Sequence, residues 1–293
     1  MSERIAIIAD THANNAATSA VLDDIAAQKI KVVWCLGDMI GRGPNAVKTL
    51  NLLWPVYQQQ APRDRRAWLI GNHEMVILDK VLHGHVDGSV VGGNGKLATF
   101  TGEKNREELD KYVRGDEIRN FLNQLHPYAT EPPRPGIYVA HAHYALCDDG
   151  SVDVVRAYSQ TNDSDARIGD AVRSLLVRLP RAEALRIIIT AHTHVSGIWH
   201  WDASDQTAKP VPNHKTGQHT FSGLSEHPLY VNPGSVGFPR VPDNTPTYVV
   251  VTLSDDLESA TLEFRQVSYY RDDLDLPGWY PALYRDDIDR TSL

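Results

Sequence analysis

Ile5-Ala6-Ile7-Ile8-Ala9-Asp10-Thr11-His12 decides the reading of this chain. An apolar run without alternation describes a strand buried on both faces. It stops on a carboxylate and an imidazole separated by one residue. Outward from it, the same pattern returns. Val32 to Leu36 leads into Gly37-Asp38. Ala67 to Ile70 leads into Gly71-Asn72-His73-Glu74. Ile137 to Ala140 leads into His141, and Arg186 to Thr190 into Ala191-His192-Thr193-His194. In open α/β sheets, ligands gather outside the carboxyl ends of the strands.

Taken singly, each motif has an ordinary explanation. A Gly-Asp pair after a strand is commonly a turn. Asn72 suits a left-handed turn, and Asp10 would pass for a helix N-cap. Five strand ends delivering metal-type ligands to one edge are not five accidents. The candidate ligands are Asp10, His12, Asp38, Asn72, His141, His192 and His194. Mixed carboxylate, imidazole and amide donors suit borderline divalent ions such as manganese, iron, zinc or nickel. No thiolate joins them, which excludes an iron–sulfur or Cys-type zinc site.

Amphipathic segments at Asn15 to Gln28 and Asn45 to Gln59 separate the first strands. The βαβαβ order predicts a doubly wound layer. From 80 to 130 the pattern changes to a Gly-rich polar stretch and a charged helical one, an inserted cap or lid in a single domain of residues 1–293. A polar helix is expected near Asp165 to Arg178. The last third reads as antiparallel strands, with a polar loop at 202–218 and a surface tail at 268–293. Trp199 and Trp201 alternate on a strand and read as packing.

The chain has 293 residues, 42% hydrophobic and 23% charged, in keeping with one globular α/β domain. A net charge of −8 argues against a nucleic-acid partner. With only Cys35 and Cys147, no disulfide framework is expected. No apolar stretch approaches the ~18 residues of a membrane span. A cytoplasmic protein is expected; nothing in the sequence fixes its oligomeric state.

These blocks resemble the five motifs of the calcineurin-like metallophosphoesterases: Asp10-x-His12, Gly37-Asp38-x-x-Gly41, Gly71-Asn72-His73-Glu74, His141 and His192-x-His194. Asn232-Pro233-Gly234-Ser235-Val236-Gly237 is similar to a signature of the small bacterial phosphodiesterase branch. The resemblance implies a four-layer α/β/β/α sandwich. It assigns Asp10, His12 and His194 to one metal, and Asn72, His141 and His192 to the other, with Asp38 bridging. It makes His73 the catalytic acid beside the metals; Glu74 reads equally as orienting His73 and as an early-turn helix carboxylate. Asn14, Arg42 and His143 are candidate contacts to a small phosphoester or nucleotide substrate; Arg42 also reads as a surface turn residue, and His143 reads first as lining the cleft. Ala13 stands where the family commonly has Gly. Arg42, in Gly41-Arg42-Gly43, is similar to the phosphate-binding Arg of the Ser/Thr protein phosphatase branch.

The charges then describe a reaction. Two divalent ions bring four positive charges, and Asp10 and Asp38 return two, leaving a centre that attracts phosphate and stabilises hydroxide. Hydrolysis of phosphodiesters or phosphomonoesters by in-line attack of a metal-bridging hydroxide follows. A Ser/Thr protein phosphatase-like enzyme and a dinucleoside-polyphosphate hydrolase are the alternatives. A non-catalytic scaffold would be expected to have lost ligands, and none is missing. Tyr144 and Phe238 are candidates to stack on a nucleobase.

Overall fold

A computed structural model describes residues 3–78, 95–142, 144–146, 152–154, 173, 184–202, 204–205, 207–212, 217–240 and 245–270. β1 (Glu3–Ile8) sits inside a five-stranded sheet. It pairs in parallel with β2 (Val32–Cys35) and antiparallel with β11 (Thr247–Leu253), which continues through β12 (Ser259–Gln266) to β9 (Gln218–Ser222). The second sheet has parallel β3 (Ile137–Ala140), β6 (Ile187–Thr190) and β10 (Leu229–Asn232), then antiparallel β7 (Gly197–Asp202) and β8 (Thr207–Pro210). A separate pair joins β4 (Tyr144–Leu146) and β5 (Val152–Val154).

The run that opened the sequence is apolar throughout because both its faces are buried. Ile5, Ile7 and Ala9 meet Val139, Ile189 and Val231 between the two sheets. Ala6 and Ile8 turn the other way, toward α1 (Asn15–Ala27) and α2 (Ala46–Gln59), where Val21, Ile25, Leu50 and Leu53 complete a second core. Two sheets face to face with helices outside are the class the sequence predicts. The helix expected at 165–178 and the tail beyond 270 lie outside the described residues.

The segment expected as an insertion is helical where it is described, over α5 (Gly95–Lys111) and α6 (Gly115–Asn123). These helices also build the core. Leu109, Ile118, Phe121 and Leu122 are buried, and Phe121 lies against Trp54, Tyr57 and Trp68. The part of the expected lid at 80–94, with His83 and His85, lies outside the described residues.

Two expectations are corrected. Ala67 to Ile70 is not a full strand: it makes isolated parallel bridges, Cys35 to Trp68 and Leu69 to His126. The N–H groups of Ala67 and Trp68 are engaged by Asp64 and Arg65 carbonyls at the end of α3 (Pro62–Arg65), which interrupts the ladder. The polar stretch 202–218 contains β8, an edge strand whose polarity belongs to its solvent side.

Candidate metal centre

Register brings the motifs together. Pairing of Ile8 with Cys35 sets Asp10 beside Gly37, whose carbonyl accepts the Asp10 N–H at 3.0 Å. Pairing of Ala140 with Thr190 sets His141 beside Ala191. The His192 N–H donates to Asp10 Oδ2 at 3.0 Å and ties one sheet's strand end to the other's. At the strand ends the chain turns through left-handed backbone: φ is 53° at Asp10, 45° at His12, 50° at Asp38, 70° at His192 and 64° at His194. Side-chain-bearing residues rarely take this conformation, and its clustering at one edge is typical of functional sites. Ala13, at φ 56°, explains why Gly would be favoured there. At Gly71 a Cβ would lie 2.0 Å from Asp38 Oδ1, so only glycine lets these two loops meet.

Donor atoms converge in overlapping groups: Asp10, His12 and His194; Asp38, His141 and His192; and His12, Asp38 and His73. Within each group they lie within 4.8 Å of one another, and all these residues are buried. His12 Nε2 and His194 Nε2 are 2.9 Å apart, and His194 Nε2 lies 3.4 Å from Asp10 Oδ1. His141 Nε2 is 3.1 Å from His192 Nδ1, 3.3 Å from Asn72 Oδ1 and 3.4 Å from Asp38 Oδ2. Asp38 Oδ2 is also 3.7 Å from His12 Nε2, so it belongs to both halves. Donors placed about 2.0–2.2 Å from one ion stand about 3 Å apart, as these do.

The surroundings fix which ring nitrogen faces inward. The Nδ1–H of His141 donates to the Leu36 carbonyl at 2.7 Å, and that of His194 to the Phe238 carbonyl at 2.5 Å. Each leaves Nε2 as a lone-pair donor, as metal-site histidines require. Asp10 Oδ1 is buried and has no hydrogen-bond partner. A buried carboxylate oxygen without a donor, facing imidazole nitrogens, suits a cation.

Burial holds His12 and His192 well below the ordinary imidazole range and lowers His194, while Asp38 and Asp10 oppose it. Neutral imidazoles are the form that binds metal. Burial also works against charge on His141, but Asp38 outweighs it and lifts His141 to about 9. His73 is 5% exposed and is pushed down to about 4 by burial, with Asp38 opposing.

His73 stands edge-on to His12, ring centroids 4.8 Å apart, and its backbone N–H donates to Asp38 Oδ1 at 2.9 Å. Arg42 is half-buried, and its charge adds to burial in depressing His12, His73 and His194. Glu74 is engaged otherwise than expected. Its carboxylate accepts the N–H groups of Asp38 (2.9 Å), Ile40 (2.8 Å) and Gly71 (2.7 Å), clamping two motif loops together. Asn14, expected at the substrate, is 1% exposed. Its Oδ1 caps α1 through the Ala17 N–H, and its Nδ2 donates to the Gly237 carbonyl and Tyr269 Oη. His143 and the Tyr144 side chain lie outside the described residues. Phe238 is half-buried, its ring 5.8 Å from that of His12.

The sequence did not disclose what holds the loops. Asp10 O accepts from Ser235 Oγ and the Gly237 N–H, both at 2.9 Å. Asn232 Nδ2 donates to the Ala191 carbonyl and Thr193 Oγ1, both at 3.0 Å. The similarity of 232–237 to a family signature was the available signal.

Strand-end motifs carrying buried Asp, His and Asn donors form a candidate metal site. The family model for calcineurin-like phosphoesterases matches residues 3–203, more than half of the chain, and the chain belongs to that family. The family is divalent-metal dependent and acts on phosphoesters. The fold is shared with a metallophosphoesterase from Sphaerobacter thermophilus, at a TM-score of 0.62 and 22% identity over 99% of this chain and 98% of that one. It is shared too with a hypothetical protein from Pyrococcus horikoshii, at a TM-score of 0.59 and 15% identity over 99% and 97%. An uncharacterized protein of Methanocaldococcus jannaschii is 38% identical over 77 residues, which span 26% of this chain and 28% of that relative. Among the described residues, no helix is long and apolar enough to cross a membrane.

Proposed function

We propose that this chain hydrolyses small phosphodiesters or phosphomonoesters with two divalent ions, manganese first among them. The observation that carries the reading is the Asp38 carboxylate, whose Oδ2 stands 3.7 Å from His12 Nε2 and 3.4 Å from His141 Nε2. One shared oxygen between two donor groups is the arrangement a bridged pair of ions needs. Asp10, His12 and His194 would hold one ion, Asn72, His141 and His192 the other. When bound, the ions would supply Lewis-acid polarisation of the phosphoryl group and activation of water.

The chain supplies the rest. Asp10 and Asp38 set the charge, and the carbonyls of Leu36 and Phe238 orient His141 and His194. Arg42 takes phosphoryl oxygens through its guanidinium fork, a geometry suited to two parallel hydrogen bonds. In an in-line displacement the leaving oxygen departs opposite to the attacking water. His73 protonates it there; the substrate's negative charge counters the burial that otherwise keeps the ring neutral.

The test is a panel of bis-nitrophenyl phosphate, nitrophenyl phosphate and nucleotide esters. Each is run on metal-stripped protein reconstituted with manganese, iron, zinc, nickel or magnesium, with ion content measured. Hydrolysis that requires two bound ions is expected. Protein loaded with two ions that cleaves no ester on the panel would overturn the reading.

A further inference from the structure

The inserted segment reaches the site through one face of α5. Asn105 is fully buried there. Its Oδ1 accepts the Gly41 N–H at 2.7 Å, and its Nδ2 donates to the Gly43 carbonyl at 3.2 Å. Arg42 is the residue between. Its backbone is left-handed, with φ at 57°, and the Gly43 N–H closes the turn onto the carbonyls of Gly41 (2.6 Å) and His12 (2.9 Å). Three residues further along α5, Glu108 accepts the N–H groups of Ala46 and Val47, both at 3.1 Å, where α2 begins. Side chains three apart share a helix face. Thus α5 grips the connection from the metal loop to α2 at two points, on either side of Asn45.

The grip also bears on His73. A Cβ at Gly41 would lie 2.3 Å from His73 Nδ1, so Gly41 and the imidazole are packed without slack. A left-handed residue persists only where its surroundings over-determine it. An amide side chain is suited to the task because one group offers both an acceptor and a donor.

We infer that Asn105 is a positioning residue: by holding the backbone on both sides of Arg42, it aims the guanidinium at the substrate's phosphoryl group. The inference rests on the reading of Arg42 as a phosphate contact. It ties α5 to the substrate site through the backbone around Arg42.

The experiment is a double-mutant cycle on the metal-loaded full chain, using Asn105→Ala, Arg42→Ala and the pair. The probe is inorganic phosphate as a competitive inhibitor of bis-nitrophenyl phosphate hydrolysis, with ion content measured in every variant. Arg42→Ala is expected to weaken phosphate. Asn105→Ala is expected to raise the phosphate inhibition constant and KM by about 10- to 100-fold, the scale of a slightly misplaced binding group. It should leave ion content unchanged and affect kcat less. In the Arg42→Ala background the same substitution should change the inhibition constant by less than about twofold, since coupled residues are non-additive. Should Asn105→Ala fail to fold, Asn105→Asp, which keeps the Gly41 bond and loses the Gly43 one, enters the same cycle.

An equal loss in both backgrounds would make Asn105 merely structural and overturn the inference, as would no loss at all. If Arg42→Ala itself leaves phosphate unaffected, the Arg42 reading fails and the inference falls with it. The metal reading is judged separately, by the ion content.

Discussion

Replacing Asp38 by Asn removes one charge and changes the side chain's shape little, so it isolates what the carboxylate does for the metals. Asp38 is 1% exposed; Oδ1 takes the His73 backbone N–H at 2.9 Å, and Oδ2 faces both donor groups. Two unit charges about 4 Å apart interact by about 4 kcal/mol at an effective dielectric of about 20, and a divalent ion doubles that. If half is recovered by relaxation and the remaining carbonyl oxygen, about 4 kcal/mol is lost, roughly a thousandfold in ion affinity. Asp38→Asn is therefore expected to retain at most one ion after dialysis and to fall below a tenth of wild-type kcat. Titration of metal-stripped protein with manganese gives the affinities, mass spectrometry the stoichiometry, and circular dichroism the integrity of the fold. A variant that binds two ions with wild-type affinity, or keeps more than a tenth of kcat, refutes the bridging role.

His73→Ala should keep both ions and slow alkyl or nucleotide esters by about 100- to 10,000-fold, but bis-nitrophenyl phosphate far less, because nitrophenolate leaves without a proton. Equal losses on the two substrates would remove the acid from the mechanism. Phe121→Ala should destabilise the protein by about 3–5 kcal/mol in denaturant unfolding, since its ring fills the space between α2 and α6. A cost below about 1 kcal/mol would mean that α6 is dispensable to the core. Asp24 accepts from Arg265 Nε (2.8 Å), Arg265 Nη2 (3.0 Å) and Tyr248 Oη (2.6 Å), and Arg265 chiefly holds its carboxyl below the usual range. This stabilisation is fully present above the unfolded-state value of about 3.9 and is lost as pH falls through the lower folded value. Asp24→Asn should cost about 1 kcal/mol at pH 7, because the pair is partly exposed to solvent. Its Tm deficit should shrink below about pH 4, and a deficit that stays constant through acid would contradict the assignment.

The buried strands were legible because β1, β2, β3 and β6 are apolar on both faces, a pattern that needs no partner to interpret. The stretch Ala67 to Ile70 looked the same, yet its first two N–H groups close α3 and are withheld from the sheet. Hydrophobicity reports burial; it does not report where backbone donors go. The opposite error hid β8. An edge strand with one solvated face carries polar residues, and Thr207–Pro210 has only Ala208 buried. The core role of α5 and α6 was masked in the same way, because their charged outer faces dominate the composition while Leu109, Ile118 and Phe121 face inward.

Within the site, residue type was legible and hydrogen-bond destination was not. Glu74 follows His73 in sequence, which invited a pairing. Consecutive residues on a helix do not face each other, and in α4 (Asn72–Ile77) the Glu74 carboxylate turns to the N–H groups of Asp38, Ile40 and Gly71. Asn14 precedes an Ala-rich helix, a position where Asn is an N-cap by preference; that signal was present and the motif overshadowed it. Asn105 carried no local signal, because the groups it serves lie 62 and 64 positions away. The polar residues of this site thus fall into two kinds. Asp10, His12, Asp38, Asn72, His141, His192 and His194 turn donor atoms toward one another, and their spacing after each strand betrays them. Glu74, Asn14, Ser235, Asn232 and Asn105 aim at backbone, holding left-handed turns that would otherwise relax. Altering the first kind should change ion content directly, and altering the second should first change how tightly substrate is bound and how fast it turns over.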